Sequence, residues 1–207
     1  IVGSWIIFVI LTAILSKRYF KQNDELSRKI VHIGIGPLIP IAYLLDISKY
    51  FALSTAIIIT IGLIINYKIK FLKVFESISR NSYGTVAYGL SITILILLFW
   101  ENNNSALTAG ILTMSFGDGF AGLIGRQIAS PSWIIFGQKK SVAGTLTMCL
   151  VTACILYITN LFHPNPLNLM SIGLITSIAI LLEQISMKGM DNLTVPIGVA
   201  LMWSWIQ

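Results

Sequence analysis

The sequence predicts an all-α protein, a polytopic integral membrane bundle of about eight transmembrane helices joined by short loops. Hydrophobic residues make up 56% of the 207 residues, and charged residues make up only 11%. A soluble domain is about a quarter charged, so this composition leaves too little polar surface for one. Apolar runs also recur from one end of the chain to the other, which favours a single transmembrane domain over residues 1–207.

Eight apolar runs approach the length of about 20 residues that a helix needs to cross a bilayer. They cover residues 1–16, 31–45, 50–66, 82–100, 106–125, 143–161, 168–187 and 191–206. The first run lacks a basic n-region and a small-residue cleavage site, so we expect a spanning anchor instead of a signal peptide. Because the chain begins with isoleucine, we also expect a truncated or processed start.

The charges of the connecting segments predict the orientation of these spans. Alternate segments carry 13 of the 14 lysines and arginines, and the other set carries only Lys49. The positive-inside rule makes the basic side cytoplasmic, so both termini face away from the cytoplasm. Lysines beside an anionic leaflet of membrane lipids account for the net charge of +6, so we expect no nucleic-acid partner.

Polar residues that are unusual for a membrane protein gather near the cytoplasmic ends of the predicted spans. They are Arg28, His32, Asn81, Asp118, Lys139, Lys140, Ser141, Thr145, Glu183, Asp191 and Asn192. An ionisable residue inside a membrane span is a hypothesis of a functional site by default. The gathering therefore predicts one site at the cytoplasmic face.

The stretch SFGDGFAGLIGRQ at 115–127 places Asp118 between two glycines in a predicted span. Small residues at 117, 121 and 125 are typical of close helix packing, which explains the glycines but not the aspartate. The alternative is a groove in which the backbone approaches a ligand and Asp118 holds Mg²⁺ against phosphates. Both interpretations stay open on the sequence alone.

Four further segments each allow a structural and a functional interpretation. The lysines of GQKKSVAGTLT (137–147) could bind phosphates or anchor the helix, and Walker A spacing is absent. Arg28 and His32 are four residues apart and share a helix face, although such a histidine is often interfacial. Asn81 could cap a helix, as could Asp191 or Asn192, but capping leaves Glu183 unexplained.

Taken in order, RKIVHIG (28–34), SFGDGFAGLIGR, KKSVAGT (139–145) and the DNLTVP stretch after Glu183 resemble the motifs of the CTP-dependent polyprenol kinases. Phytol kinase and its bacterial relatives are the most similar; dolichol kinase and CTP-dependent diacylglycerol kinase are more distant. The resemblance covers about residues 28–198. Two departures are Ala143, where many relatives have glutamate, and Ala129–Ser130, where a glycine is common.

The resemblance implies that a nucleoside triphosphate, usually CTP, phosphorylates a lipid alcohol such as phytol, geranylgeraniol or another polyprenol, with a divalent cation. Carried over by position, the motif residues are Arg28, Lys29 and His32; Asp118, Gly119, Gly122, Gly125 and Arg126; Lys139, Lys140, Ser141, Gly144 and Thr145; and Glu183, Asp191, Asn192 and Thr194.

Phosphoryl transfer depends on positioning and charge neutralisation, which suggests roles for these residues. We expect Asp118, with Glu183 or Asp191, to hold Mg²⁺ on the β- and γ-phosphates. The phosphate charge would be neutralised by Lys139, Lys140 and Arg126. Asp118 is the first choice to accept the hydroxyl proton, ahead of His32, and Asp191 is a further catalytic candidate.

Other functions stay open. A cytidylyltransferase that forms a CDP-lipid also pairs an aspartate–glycine helix with a lysine-rich loop, but its usual DRxDS motif is absent here. A CTP-dependent diacylglycerol kinase would share the nucleotide motifs. A channel, transporter or scaffold would spread acidic residues through the bilayer depth and not gather them at one interface.

Overall fold

The computed structural model describes residues 1–19, 24–69 and 82–207, and it confirms the all-α helical bundle. The α-helices are α1 (Val2–Tyr19), α2 (Asp24–Ile35), α3 (Leu38–Leu44), α4 (Lys49–Ile69), α5 (Gly84–Phe99), α6 (Asn104–Leu112), α7 (Gly119–Gln127), α8 (Val142–Leu161), α9 (Leu169–Ile185) and α10 (Asp191–Ile206). A π-helical segment, Thr113–Asp118, joins α6 to α7. Two short strands, β1 (Ser132–Ile135) and β2 (Gln138–Ser141), precede α8.

Four helical stretches are long and apolar enough to cross a membrane: Val2–Tyr19, Lys49–Ile69, Asn104–Gln127 and Val142–Leu161. Helices α5 and α9 are apolar but shorter. Large apolar side chains point outward, for example Ile58 on α4, which is 69% exposed. Such surfaces are expected where lipid and not water surrounds a helix. The figure of eight crossings stays a prediction.

Helix α10 lies at the centre of the bundle and packs against α5, α6 and α9. Val195, Val199 and Trp203 on α10 are fully buried. Gly110 lets α6 approach α10 closely, because a Cβ there would come within 2.5 Å of the Pro196 carbonyl oxygen. Small residues at a helix crossing are the usual means of close packing between membrane helices.

Two predicted spans are not regular α-helix throughout. The span 31–45 divides into α2 and α3 at Gly36–Pro37, because proline has no N–H to continue the helical ladder. The span 106–125 is continuous, but its middle winds as the π-helix Thr113–Asp118. Such π-helical turns often occur at functional sites, and Asp118 ends this one.

A β-hairpin between α7 and α8 departs from the predicted all-helical bundle with short loops. Strands β1 and β2 pair antiparallel, with Ser132 opposite Ser141 and Trp133 opposite Lys140. The turn residues Phe136 and Gly137 have φ of 48° and 74°. Positive φ at both central residues matches the type I′ turn that suits a two-residue hairpin. The hairpin places the two lysines of KKSVAGT beside the ends of other helices.

Replacing Gly110 by alanine should weaken the packing of α6 on α10, since the new methyl group meets a backbone carbonyl. We expect a loss of about 1–3 kcal/mol in the free energy of unfolding in detergent. Gly62→Ala is the matched control, because no atom lies within 4 Å of a Cβ at that position. The control should be neutral or slightly stabilising, since alanine favours helix. Equal behaviour of the two variants would contradict this account of the crossing.

Candidate active site between a polar cleft and an apolar cavity

A polar cleft of about 850 Å³ opens among α2, α7, the hairpin and the adjoining ends of α8, α9 and α10. Most residues predicted for the site line it. These are Arg28, Lys29, Asp118, Gly122, Gly125, Arg126, Lys139, Lys140, Ser141, Gly144, Thr145, Glu183, Asp191 and Asn192. The motifs that are far apart in the chain therefore lie around one cleft.

Asp118 lies between two basic side chains of α2. Its Oδ2 is 2.7 Å from Lys29 Nζ and 3.2 Å from His32 Nε2. Lys29 Nζ also donates to the Asp118 carbonyl oxygen at 3.0 Å. All three side chains are largely buried, so the ammonium and the carboxylate compensate each other in an apolar surrounding. This arrangement, called the Asp118 cluster below, ties α2 to the end of the π-helix.

His32 is fixed in place by α5 and by the π-helical segment. Its Nε2 lies 3.1 Å from the Met114 carbonyl oxygen, and its ring lies 4.5 Å from the Tyr88 ring. The Tyr88 hydroxyl donates to the His32 carbonyl oxygen at 2.9 Å and also meets Ser115 Oγ at 2.9 Å. Neither Tyr88 nor Ser115 was predicted as a site residue, because an uncharged side chain inside an apolar span gives no signal of its own, even though Ser115 opens the stretch that contains Asp118.

The glycines of the 115–127 stretch make room for neighbouring side chains and backbone. A Cβ at Gly122 would lie 2.8 Å from Lys29 Cε, and a Cβ at Gly125 would lie 3.1 Å from the Gly144 Cα. A Cβ at Gly119 would collide with Ile33. Close packing therefore explains the glycines, and the room at Gly122 is what lets Lys29 reach Asp118.

A second ion pair joins the hairpin to the end of α9. Lys140 Nζ contacts the Glu183 carboxylate and donates to the Glu183 carbonyl oxygen at 2.8 Å. Gln184 extends this pair, because its Nε2 donates to Glu183 Oε2 at 2.8 Å and to Thr145 Oγ1 at 2.9 Å. Trp133 donates to Gln184 Oε1 at 3.2 Å. Gln184 was not predicted from the sequence, although it directly follows Glu183, which was.

Glu25 is another cleft residue that the sequence analysis missed. Its Oε1 lies 2.8 Å from Arg28 Nη2 and 3.2 Å from Arg126 Nη2. Glu25 therefore links α2 to the end of α7. Burial disfavours the charged carboxylate, but Arg28, Arg126 and Lys29 together lower the pKa of Glu25 below its ordinary value. The three-residue spacing of Glu25 and Arg28 on a helix was the available signal.

Three predicted residues do not line the cleft, and a fourth falls outside the described ranges. His32 lines the second cavity described below, and Gly119 packs on Ile33. Thr194 Oγ1 meets Ser186 Oγ at 2.9 Å, away from the cleft lining. Asn81 is outside the described residues.

The carboxylates of the cleft differ in whether a lysine ammonium group already contacts them. Asp118 and Glu183 each contact a lysine. Asp191 has no ion pair within the described ranges, and its Oδ1 accepts only from the Asn192 N–H at 3.0 Å. Asn192 Oδ1 is buried and has no partner there, while its Nδ2 donates to the Gly84 carbonyl oxygen at 2.9 Å. The described residues contain no cluster of three or more His, Cys, Asp or Glu side chains placed to hold a metal ion.

A second cavity, of about 370 Å³, is apolar and lies between α1, α2, α3, α4 and α5. Its lining is mostly aliphatic and aromatic; the exceptions are three threonines, Thr55, Thr60 and Thr85, and the polar residues Arg28, His32 and Asn192. Arg28 and Asn192 also line the polar cleft. Since His32 contacts Asp118, the Asp118 cluster stands where the apolar cavity meets the polar cleft.

A comparison with curated proteins reveals a close relative over nearly the whole chain. The phytol kinase of Synechocystis sp. is 36% identical over 196 residues, which cover 93% of this chain and 84% of the relative. The chain belongs to the phytol kinase family. Probable phytol kinases of Zea mays and Glycine max, both chloroplastic, are 25% and 26% identical to this family member and cover 96% of it. They are matched over 72% and 70% of their own lengths.

Neither the known protein-family models nor the solved structures contain a significant match to this phytol kinase family member.

Removing the positive charge of Lys29 should destabilise the fold, because it leaves the Asp118 carboxylate largely buried without its ammonium partner. We expect Lys29→Met to lower the free energy of unfolding in detergent by about 3 kcal/mol or more. Lys49→Met is the control, since Lys49 pairs with Glu101, which is 61% exposed. That variant should lose less than about 1 kcal/mol. Similar losses in both would show that the Asp118 cluster does not carry this role.

Proposed function

We propose that the protein is a membrane-embedded kinase that transfers the γ-phosphate of CTP to a prenyl alcohol such as phytol, geranylgeraniol or another polyprenol. The observation that carries this proposal is the meeting of an apolar cavity and a basic polar cleft at the Asp118 cluster. A lipid-alcohol kinase needs such a junction, because its two substrates have opposite polarity. The relatives, which are named as phytol kinases, support a kinase with a prenyl alcohol as acceptor, whereas CTP as the donor rests on the sequence motifs.

The apolar cavity suits the hydrocarbon chain of the alcohol. Its volume lies within the range of about 300–1,000 Å³ for ligand pockets. The polar end of the cavity carries His32, Arg28 and Asn192. A prenyl alcohol with its chain in the cavity would therefore present its hydroxyl to the cleft.

The cleft suits a triphosphate. Its cationic lining residues are Arg28, Lys29, Arg126, Lys139, Lys140 and Lys188. Several of these are already paired with carboxylates, but Lys139 is exposed and has no ion pair in the part of the chain that the structure describes. Lysine binds phosphate as a mobile point charge, so Lys139 is well placed to meet an incoming nucleotide, as is Lys188, which is likewise exposed and without an ion pair in the described ranges.

The donor set of the cleft suits a divalent cation. Mg²⁺ prefers oxygen ligands and is commonly bound by one or two carboxylates together with substrate phosphates. The Asp191 carboxylate supplies such oxygens, as does Asn192 Oδ1, which has no hydrogen-bond partner among the described residues; Asp118 and Glu183 line the same cleft. We propose Asp191 and Asn192 as ligands, while Asp118 and Glu183 would first have to separate from their lysines. A bound Mg²⁺ would neutralise charge on the β- and γ-phosphates.

Asp118 is the residue we propose to accept the hydroxyl proton. Both close neighbours of His32 Nε2 are acceptors, so this nitrogen carries hydrogen and orients Asp118 instead of acting as the base. The alcohol oxygen would bond to the γ-phosphorus as the bond from that phosphorus to the β-phosphate bridging oxygen breaks. The nucleoside diphosphate then leaves, and the hydroxyl proton passes to Asp118.

We place the cleft on the cytoplasmic side of the membrane. The basic residues Lys17, Arg126 and Lys188 stand at those ends of the helices that adjoin the cleft. Lys49 stands at the opposite ends. The positive-inside rule assigns the basic side to the cytoplasm.

Isotope transfer tests the proposed reaction. The purified protein would be given Mg²⁺ and CTP labelled on the γ- or α-phosphate, with phytol, geranylgeraniol, diacylglycerol or phosphatidate as acceptors. We expect γ-label in the prenols, no α-label in any lipid, and loss of transfer when EDTA removes the cation. Asp118→Asn should lower the rate about a hundredfold or more, since it removes the proton acceptor.

Lys49→Met serves as the control, because Lys49 lies at the far end of α4 from the cleft. Transfer of α-label to phosphatidate would instead identify a cytidylyltransferase. Diacylglycerol as the preferred acceptor would identify a different lipid kinase, and ATP or UTP outcompeting CTP would overturn the proposed donor.

A further inference from the structure

We infer that Trp100 closes the far end of the apolar cavity and sets the longest isoprenoid chain that the protein phosphorylates. This inference rests on the proposed function and adds a specificity-determining residue to it.

Helix α5 runs along the length of the cavity. Gly84, Tyr88, Ile92, Ile96 and Trp100 all line it, and each is four residues from the next. Residues four apart are neighbours on a helix surface, and each step also turns about 40° around the axis, so the row winds diagonally along α5. With a rise of 1.5 Å per residue, this row spans about 24 Å. The cavity is therefore long and follows a single helix, which suits one extended chain.

The two ends of this row differ in chemistry. At the Gly84 end the cavity meets His32 and Asn192, where the hydroxyl would lie. At the other end stands the Trp100 indole, which is only 4% exposed and packs against the edge of Tyr43 with the ring centres 5.8 Å apart. A buried indole held by a second aromatic ring is a rigid stop for a hydrocarbon chain.

Helix α4 forms the facing wall and runs antiparallel to α5. Thr60 Oγ1 lies 3.0 Å from Thr93 Oγ1, and Lys49 Nζ lies 3.2 Å from Glu101 Oε2. The earlier residue of α4 therefore pairs with the later residue after α5, as it must when the two helices run in opposite directions. Ala56 lines the cavity between these two levels, near the depth of Ile96. A larger side chain at Ala56 would therefore shorten the cavity by about one helical turn of 5.4 Å.

Substitutions at the two positions should change chain-length preference in opposite directions. The measurement is kcat/KM for geraniol, geranylgeraniol and a decaprenol, which have two, four and ten isoprene units, in detergent micelles. We expect Trp100→Ala to raise the decaprenol-to-geraniol ratio at least tenfold, since the stop is removed. We expect Ala56→Phe to lower the geranylgeraniol-to-geraniol ratio at least tenfold, since the cavity is shortened.

Trp205→Ala is the matched control, because Trp205 is 78% exposed on α10 and outside the cavity. Its ratios should equal those of the wild type. Ratios within one variant are insensitive to a partial loss of folded protein. If Trp100→Ala yields no active protein, Trp100→Leu takes its place, because it keeps an apolar side chain but shortens the stop; its decaprenol-to-geraniol ratio should also rise.

Unchanged ratios in Ala56→Phe, or in an active Trp100→Ala, would overturn the inference and show that the chain leaves sideways into the bilayer. A wild-type protein that phosphorylates diacylglycerol but no prenol of any length would overturn the proposed function itself. The two failures are thus distinguishable, because the first requires prenol phosphorylation by the wild type.

Discussion

The ion pair between Lys29 and Asp118 is the constraint on which the rest of the structure depends. A carboxylate within an apolar helix is costly unless a partner compensates its charge. Lys29 supplies that charge from α2, 89 residues away in the chain. The pair therefore fixes where α2 stands against the π-helix and α7, and it requires a residue as small as Gly122 at the crossing.

This constraint brings together two environments that a lipid kinase must join. Because His32 follows Lys29 by one helical turn, the same contact places its ring against Tyr88 at the polar end of the apolar cavity. The other side of Asp118 faces the basic cleft. The glycines and the π-helical turn serve this geometry, since they let the backbones approach until the three side chains meet.

Much of the bundle could be predicted because apolar runs must reach across a bilayer, and most predicted spans match helices within a few residues. Asp118, Lys140 and Glu183 could also be singled out, since each is out of place in an apolar chain. Their pairing could not, because the two ion pairs join residues 89 and 43 positions apart. The hairpin escaped prediction because its strands have only four residues, and QKKS shows no alternation of apolar and polar side chains. Tyr88 escaped because an aromatic residue in a span is ordinary.

The proposed transfer requires the alcohol and the γ-phosphate to meet at the Asp118 cluster. A cryo-electron microscopy structure with phytol and a non-hydrolysable CTP analogue bound would show whether they do. We expect the phytol hydroxyl within about 2.6–3.2 Å of an Asp118 carboxylate oxygen, its chain along α5, and the phosphates among the cleft lysines. A hydroxyl bound away from Asp118, or a nucleotide bound outside the cleft, would contradict it.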